Sequence, residues 1–205
     1  MSEPAVYIVD DDHSVRDSLA LLLNFRGFRT YQFASAEAFI EAWRPDWRGC
    51  LLLDLRMTGM DGLGLQQILI ERGSRLPVVF LTGHGDIAQA RTALKAGAVD
   101  FLEKPIDHEA LFNSLNEAMV KDSELQVEEQ RLADLGGRIS RLSDRERQVM
   151  DRVVSGQHNR EIAAELAISP RTVEVFKARM MEKMQARSVP ELVKLVMEIG
   201  NGKTE

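Results

Sequence analysis

The sequence predicts a doubly wound α/β domain with a five-stranded parallel sheet, followed by an all-helical domain. Three observations carry that reading. Short β-rich runs alternate with helical patterns throughout residues 1–120, whereas only helical patterns remain from Ser143 onward. The charge divides in the same way. Residues 1–120 carry 11 Lys/Arg against 17 Asp/Glu, and residues 143–205 carry 11 against 10. An acidic first part and a near-neutral last part suit two domains with different partners.

The strand candidates are AVYIV at 5–9, FRTYQF at 28–33, CLLLD at 50–54, VVFLT at 78–82 and VDFLE at 99–103. Helical patterns fill 15–25, 36–43, 63–72 and 87–96, and Gly27, Gly73 and Gly97 stand where three of these helices should end. Strands that alternate with helices form a parallel sheet covered on both faces. After Asp107 a long helix is expected. Leu111, Ala118, Leu125, Leu132 and Ile139 repeat every seven residues, with Leu135 and Leu142 at the complementary positions. Its charged stretch, 121–142, reads as a connector interrupted at Gly136-Gly137. The last section opens on LSDRERQV, where Ser143 and Glu146 form a capping box.

The composition narrows the possibilities. The apolar fraction of 44% is that of a globular protein, and the net charge is −6. Cys50 is the only cysteine, which rules out an internal disulfide and suits a reducing compartment. MSEPAVYIVDDD lacks the basic stretch of a secretory signal, and no run approaches the roughly 18–20 apolar residues of a membrane span. A cytoplasmic protein without membrane contact is expected.

In CLLLDLRM, residues 50–57, an aspartate ends an apolar run. An ionised carboxylate is costly there unless something pairs with it. Sites in doubly wound sheets form beyond the carboxyl ends of the strands. That rule brings Asp10, Asp11 and Asp12 together with Asp54, Thr82 and Lys104. Clustered carboxylates raise one another's pKa unless a cation joins them, and a hard divalent ion, Mg²⁺ above all, suits oxygen ligands. Thr82 could donate to a phosphoryl group and Lys104 could neutralise it, with Asp54 as the acceptor. A lone aspartate at a strand end is ordinarily a turn former; the conjunction points to chemistry.

IVDDD at 8–12, LLLDLRMTGMDG at 51–62, LTGHGD at 81–86 and KAGAVDFLEKP at 95–105 resemble the response-regulator receiver domain of two-component signalling, a flavodoxin-like fold. The resemblance implies that Asp54 takes a phosphoryl group from a sensor histidine kinase. It further implies that Asp10, Asp11, Asp54 and the Arg56 backbone carbonyl hold Mg²⁺, and that Thr82 and Phe101 form the pair that rearranges. Lys104-Pro105 matches the family's cis peptide. Arg56 and His84 match positions that tune phosphate lifetime. Thr58 stands where the family usually has proline, and the lost φ restraint is expected to loosen the loop after the third strand.

In the C-terminal part, Ser169 caps a helix with Pro170 at its first position. At about 100° per residue, Val173, Phe176, Met180 and Met184 share a packing face. Arg171, Val175, Ala178 and Glu182 lie opposite. LSDRERQVM at 142–150, GQHNREIAAELAIS at 156–169 and RTVEVFKARMMEKM at 171–184 resemble the four-helix helix-turn-helix domain of the NarL/FixJ/LuxR family. GHGD and SPRTVEV point to its FixJ-like branch. The resemblance implies that Arg171, Thr172, Glu174, Val175 and Ala178 face base edges or nearby phosphates. Arg160, Lys177, Arg179 and Lys183 would contact the backbone of double-stranded DNA.

The expected organisation is a receiver at 1–120, a helical linker at 121–142 and a DNA-binding domain at 143–205. The expected function is phosphorylation-dependent transcription control. One route is homodimerisation through the fourth-helix face, with Ala90, Arg91, Leu94 and Lys95 as candidates; the other is relief of mutual inhibition between the domains. RNA polymerase is a further candidate partner. Two other readings remain at this stage. One is a phosphohydrolase with an aspartyl-phosphate intermediate, which often has a second acid where Arg56 stands. The other is a ligand-sensing regulator with the same DNA domain. Beyond the receiver's own phosphorylation and dephosphorylation, no enzyme activity is expected.

Overall fold

Five short apolar runs become the five strands of one parallel sheet. A computed structural model of the chain describes residues 3–83 and 87–201. The strands are β1 (Ala5–Val9), β2 (Thr30–Phe33), β3 (Gly49–Asp54), β4 (Val78–Thr82) and β5 (Asp100–Glu103), in the order β2-β1-β3-β4-β5. Every residue of β1, β3 and β4 is buried. Alternation sends their side chains to two cores. Tyr7, Val9, Leu51, Leu53 and Phe80 join one, and Val6, Ile8, Cys50, Leu52 and Leu81 the other. The edge strand β2 is only half-buried.

The connecting helices are α1 (His13–Phe25), α2 (Ala36–Ala42), α3 (Gly62–Glu71) and α4 (Ile87–Lys95), followed by α5 (His108–Ser140). Gly27, Gly73 and Gly97 follow α1, α3 and α4 with φ of 86°, 72° and 93°, as the helix-end reading requires. Gly62 has a different task. A Cβ there would stand 2.5 Å from the Asp54 carbonyl oxygen, so only glycine lets α3 begin this close behind β3.

The chain divides into two compact units, Met1–Gln126 and Val127–Glu205. The division falls within the stretch the sequence assigns to a linker. The second unit holds the end of α5 with α6 (Asp144–Val154), α7 (Asn159–Leu166), α8 (Pro170–Met184) and α9 (Val189–Asn201). Val149, Ile162, Val173, Met180, Met184 and Leu192 form its core. The capping box at Ser143 and Glu146 is present, and Ser169 caps α8 by accepting from the Thr172 N–H.

The expected break at Gly136-Gly137 does not occur; α5 runs through both glycines. Each costs about 1 kcal/mol relative to alanine, but the flanking residues hold the backbone. Leu135 is buried, Ile139 packs on the third core, and Arg138 donates to the Met184 carbonyl at 3.2 Å. The seven-residue repeat therefore serves two separate cores: Leu111 and Ala118 pack in the first unit, and Ile139 and Leu142 in the second. Among the described residues, no helix is long and apolar enough to cross a membrane.

Candidate functional site

Parallel pairing aligns the carboxyl ends of β1, β3, β4 and β5, and the chemistry gathers there. Asp10 follows β1, Asp54 ends β3 in register with Leu81, and Thr82 ends β4 opposite Glu103. Asp10, Asp54 and Thr82 are all buried. Lys104, just past β5, places its Nζ 2.7 Å from Asp54 Oδ1 and 2.8 Å from Asp10 Oδ2. That contact offsets part of the cost of a carboxylate at the end of the apolar strand.

The cluster has a third member. Carboxylate oxygens of Asp10, Asp11 and Asp54 lie within 4.8 Å of one another. Asp11 is exposed, and its Oδ2 accepts from both the backbone N–H and the hydroxyl of Thr58 at 2.8 Å. Asp12 stands apart, since its carboxylate caps α1 by accepting from the Ser14 and Val15 amides.

Electrostatics follow this geometry. Burial pushes the Asp54 carboxyl above its ordinary value, with Asp10 and Asp11 adding to the rise and Lys104 opposing it. Burial pulls Lys104 down, but its hydrogen bonds to Asp10 and Asp54 win, and its pKa is raised. The two Thr58 hydrogen bonds hold the Asp11 carboxyl below its usual range. Three carboxylates against one ammonium leave an excess of negative charge. Oxygen donors in that arrangement fit a hard divalent cation.

The remaining receiver candidates are placed as follows. The Thr82 hydroxyl donates to the Gly83 carbonyl at 3.0 Å, and Phe101 is half-buried against the first core. Arg56 lies in the exposed turn after β3, and Lys104-Pro105 is cis. Arg91, Leu94 and Lys95 are exposed on α4. His84 and the Ala90 side chain lie outside the described residues.

The loop after β3 carries the unusual residue 58. Where a proline would fix φ and lack a donor, Thr58 donates its N–H and its hydroxyl to Asp11. Met60 adds a third anchor by donating its N–H to Glu37 Oε1 at 3.1 Å. The sequence marks position 58 as unusual but says nothing of its partner, which lies 47 residues away.

In the second unit α8 has two contrasting faces. Val173, Met180 and Met184 are fully buried and Phe176 packs beside them. Arg171, Glu174, Val175, Ala178 and Arg179 are exposed, as is Arg160 on α7, while Lys177 is half-buried. Thr172 is partly occupied in the cap, with its Oγ1 2.8 Å from Ser169 Oγ. Lys183, expected as a phosphate contact, is partly exposed and places its Nζ 2.6 Å from Glu146 Oε2 and 3.1 Å from the Arg141 carbonyl.

Comparison with known proteins places both units. The model of the response regulator receiver domain matches residues 6–116, and that of the bacterial regulatory proteins of the luxR family matches residues 140–196. The transcriptional regulatory protein FixJ of Azorhizobium caulinodans is 45% identical over 195 residues, 95% of this chain and 92% of the relative. FixJ of Rhizobium meliloti is 43% identical over 203 residues, covering 98% and 99%. Among solved structures, the response regulator StyR matches with a TM-score of 0.83 at 40% identity, covering 96% of this chain and 100% of the other. Full-length FixJ from B. japonicum matches at 0.60 and 41% identity, covering 98% and 99%.

Proposed function

This chain belongs to the FixJ-type two-component response regulators, phosphorylation-dependent transcription regulators rather than enzymes of the ordinary kind, and from that premise we propose that Asp54 is its phosphoryl acceptor. One observation carries the assignment: Asp54 is the buried carboxylate that ends a strand, held by Lys104 and flanked by Asp10 and Asp11.

In this reading an Asp54 oxygen attacks the phosphorus of a phosphohistidine on the sensor kinase. The P–N bond breaks, the imidazole takes the leaving electron pair and an acyl phosphate remains. Lys104 turns from its carboxylate partners to the added phosphoryl oxygens, a charge-assisted contact. Thr82 swings from the Gly83 carbonyl to donate to the same group, and Phe101 follows it inward. Asp10, Asp11, Asp54 and the Arg56 carbonyl would hold Mg²⁺, whose charge offsets that of the incoming oxygens.

The rearrangement reaches the α4 surface, where Ala90, Arg91, Leu94 and Lys95 would form the contact between two phosphorylated copies. Two copies present two α8 helices to paired DNA half-sites. Arg171, Thr172, Glu174, Val175 and Ala178 are the proposed reading residues, and Arg160, Lys177 and Arg179 the phosphate contacts. RNA polymerase would be the next partner at the promoter, and the cytoplasm the place of action.

The test is incubation with a small-molecule phosphodonor and Mg²⁺, followed by intact-mass measurement and DNA-binding assay. One phosphoryl group should be added to the natural chain and none to Asp54→Asn, and DNA affinity should rise only in the former. Equal labelling of Asp54→Asn would falsify the assignment.

A further inference from the structure

We infer that Thr58 is a positioning residue for the metal, holding the Asp11 carboxylate in the attitude from which Mg²⁺ is bound. The inference rests on the reading that the Asp10–Asp11–Asp54 cluster takes this ion.

The three carboxylates are not equally restrained. Asp10 and Asp54 are buried and share the Lys104 ammonium. Asp11 is exposed, and the Lys104 ammonium donates to the other two carboxylates. An exposed carboxylate beside two like charges gains by swinging into water, where repulsion falls and its rotamers are free. Two Thr58 donors at 2.8 Å on Oδ2 oppose that escape. Both are charge-assisted, and both converge on one oxygen, leaving the ligand role to the other.

Thr58 can do this because its own loop is fixed at each end. Met57 is buried on one side. On the other, Met60 donates to Glu37, and Asp61 caps α3 by accepting from the Gly64 amide at 2.8 Å. The anchor is therefore on α2 and α3, and Asp11 leans on the loop. The residue type matters twice: proline would remove the N–H donor, and any side chain except serine or threonine would remove a hydroxyl at this reach. Withdrawing charge from Oδ2 works against metal binding. Loss of a partner that orients a ligating carboxylate usually costs more, about 10–100-fold in affinity. Asp11 is exposed, so the low end applies.

The test is calorimetric titration of the full chain with Mg²⁺ alone, without phosphodonor, at a temperature well below unfolding for every variant. Thr58→Val keeps the shape and loses the hydroxyl; it should weaken Mg²⁺ binding about tenfold. Thr58→Ser should stay within about twofold of the natural chain, since it restores the donor that Thr58→Val lacks. In an Asp11→Asn background the same Thr58→Val change should have no further effect, because the influence passes through Asp11. If the natural chain shows no saturable Mg²⁺ binding, the metal reading itself fails. If it binds and Thr58→Val binds equally well or better, or weakens Asp11→Asn just as much, the positioning role is overturned.

Discussion

Glu146 Oε2 accepts from Lys183 Nζ at 2.6 Å and from the Ser143 backbone N–H at 2.7 Å. One buried oxygen thus closes the capping box of α6 and ties down the last turn of α8. Lys183→Ala should lower the stability of the second unit by about 1–2 kcal/mol, the usual worth of a charge-assisted bond with one partly exposed partner. Chemical denaturation measures this. The salt slope of DNA binding should barely move, whereas Arg179→Ala should lower it by roughly one unit. A one-unit loss on Lys183→Ala with unchanged stability would return Lys183 to the DNA interface.

The same contact sets an acid limit. Lys183, with Ser143 behind it, holds the Glu146 carboxyl down at about 2. Because the folded-state value lies below the unfolded one, near 4.3, the stabilisation is complete above that unfolded value. It disappears as pH falls through the folded one. Unfolding midpoints between pH 5 and about 2 should fall more steeply for the natural chain than for Glu146→Gln. Parallel curves would show that the pair carries no pH-dependent stability.

Arg48 and Asp122 form a second ion pair, this one almost wholly withdrawn from water, with side chains 12% and 9% exposed. Arg48 Nη2 also reaches the Asp122 carbonyl at 2.5 Å, joining the approach to β3 with α5. Arg48→Ala should cost about 3–5 kcal/mol, because it strands a buried carboxylate, while the apolar double variant Arg48→Met with Asp122→Leu should recover most of it. A loss below 1 kcal/mol in the single variant, read by urea denaturation, would mean that water reaches Asp122.

Much of the receiver site is legible in the sequence because strand ends are. A buried parallel strand announces itself as a continuous apolar run, and the residue closing it must lie at the carboxyl edge. Asp10, Asp54, Thr82 and Lys104 follow from that rule alone. Contacts between side chains distant in sequence do not follow from any local pattern. Thr58 meets Asp11 and Arg48 meets Asp122 only because the sheet and α5 bring them together. Helical projection places Lys183 off the packing face, and it is indeed partly exposed. What projection cannot include is Glu146, brought beside it by another helix. The uninterrupted course of α5 has the same cause, since packing around Leu135 and Ile139 overrides the weak local preference of two glycines.

Asp54 itself should be a stability liability. Its carboxyl is pushed up by burial and by two neighbouring carboxylates, so the ionised form is penalised in the folded chain. A raised folded-state value means stability that is lost as pH rises from the unfolded aspartate range through the folded value. Without Mg²⁺ at neutral pH, Asp54→Asn should therefore melt a few degrees above the natural chain. The difference should shrink toward pH 4, near the unfolded value. Calorimetry across that range checks it. A lower melting temperature for Asp54→Asn would mean that the Lys104 contact outweighs the burial of the charge.

Reading and anchoring on DNA should separate along α8. Val175 is 45% exposed on the face opposite Val173 and Met180, which are fully buried, so its methyls meet water in the free protein. An exposed apolar side chain flanked by Glu174, Ala178 and Arg179 is suited to a thymine methyl in the major groove. Val175→Ala should shift preference at one base-pair position by about 1 kcal/mol and leave scrambled duplexes bound as before. It should not disturb folding, because Val175 lies outside the core. Binding to specific and scrambled duplexes across a salt series gives both quantities at once. Equal weakening on both duplexes would mean that α8 presents a different face to the groove.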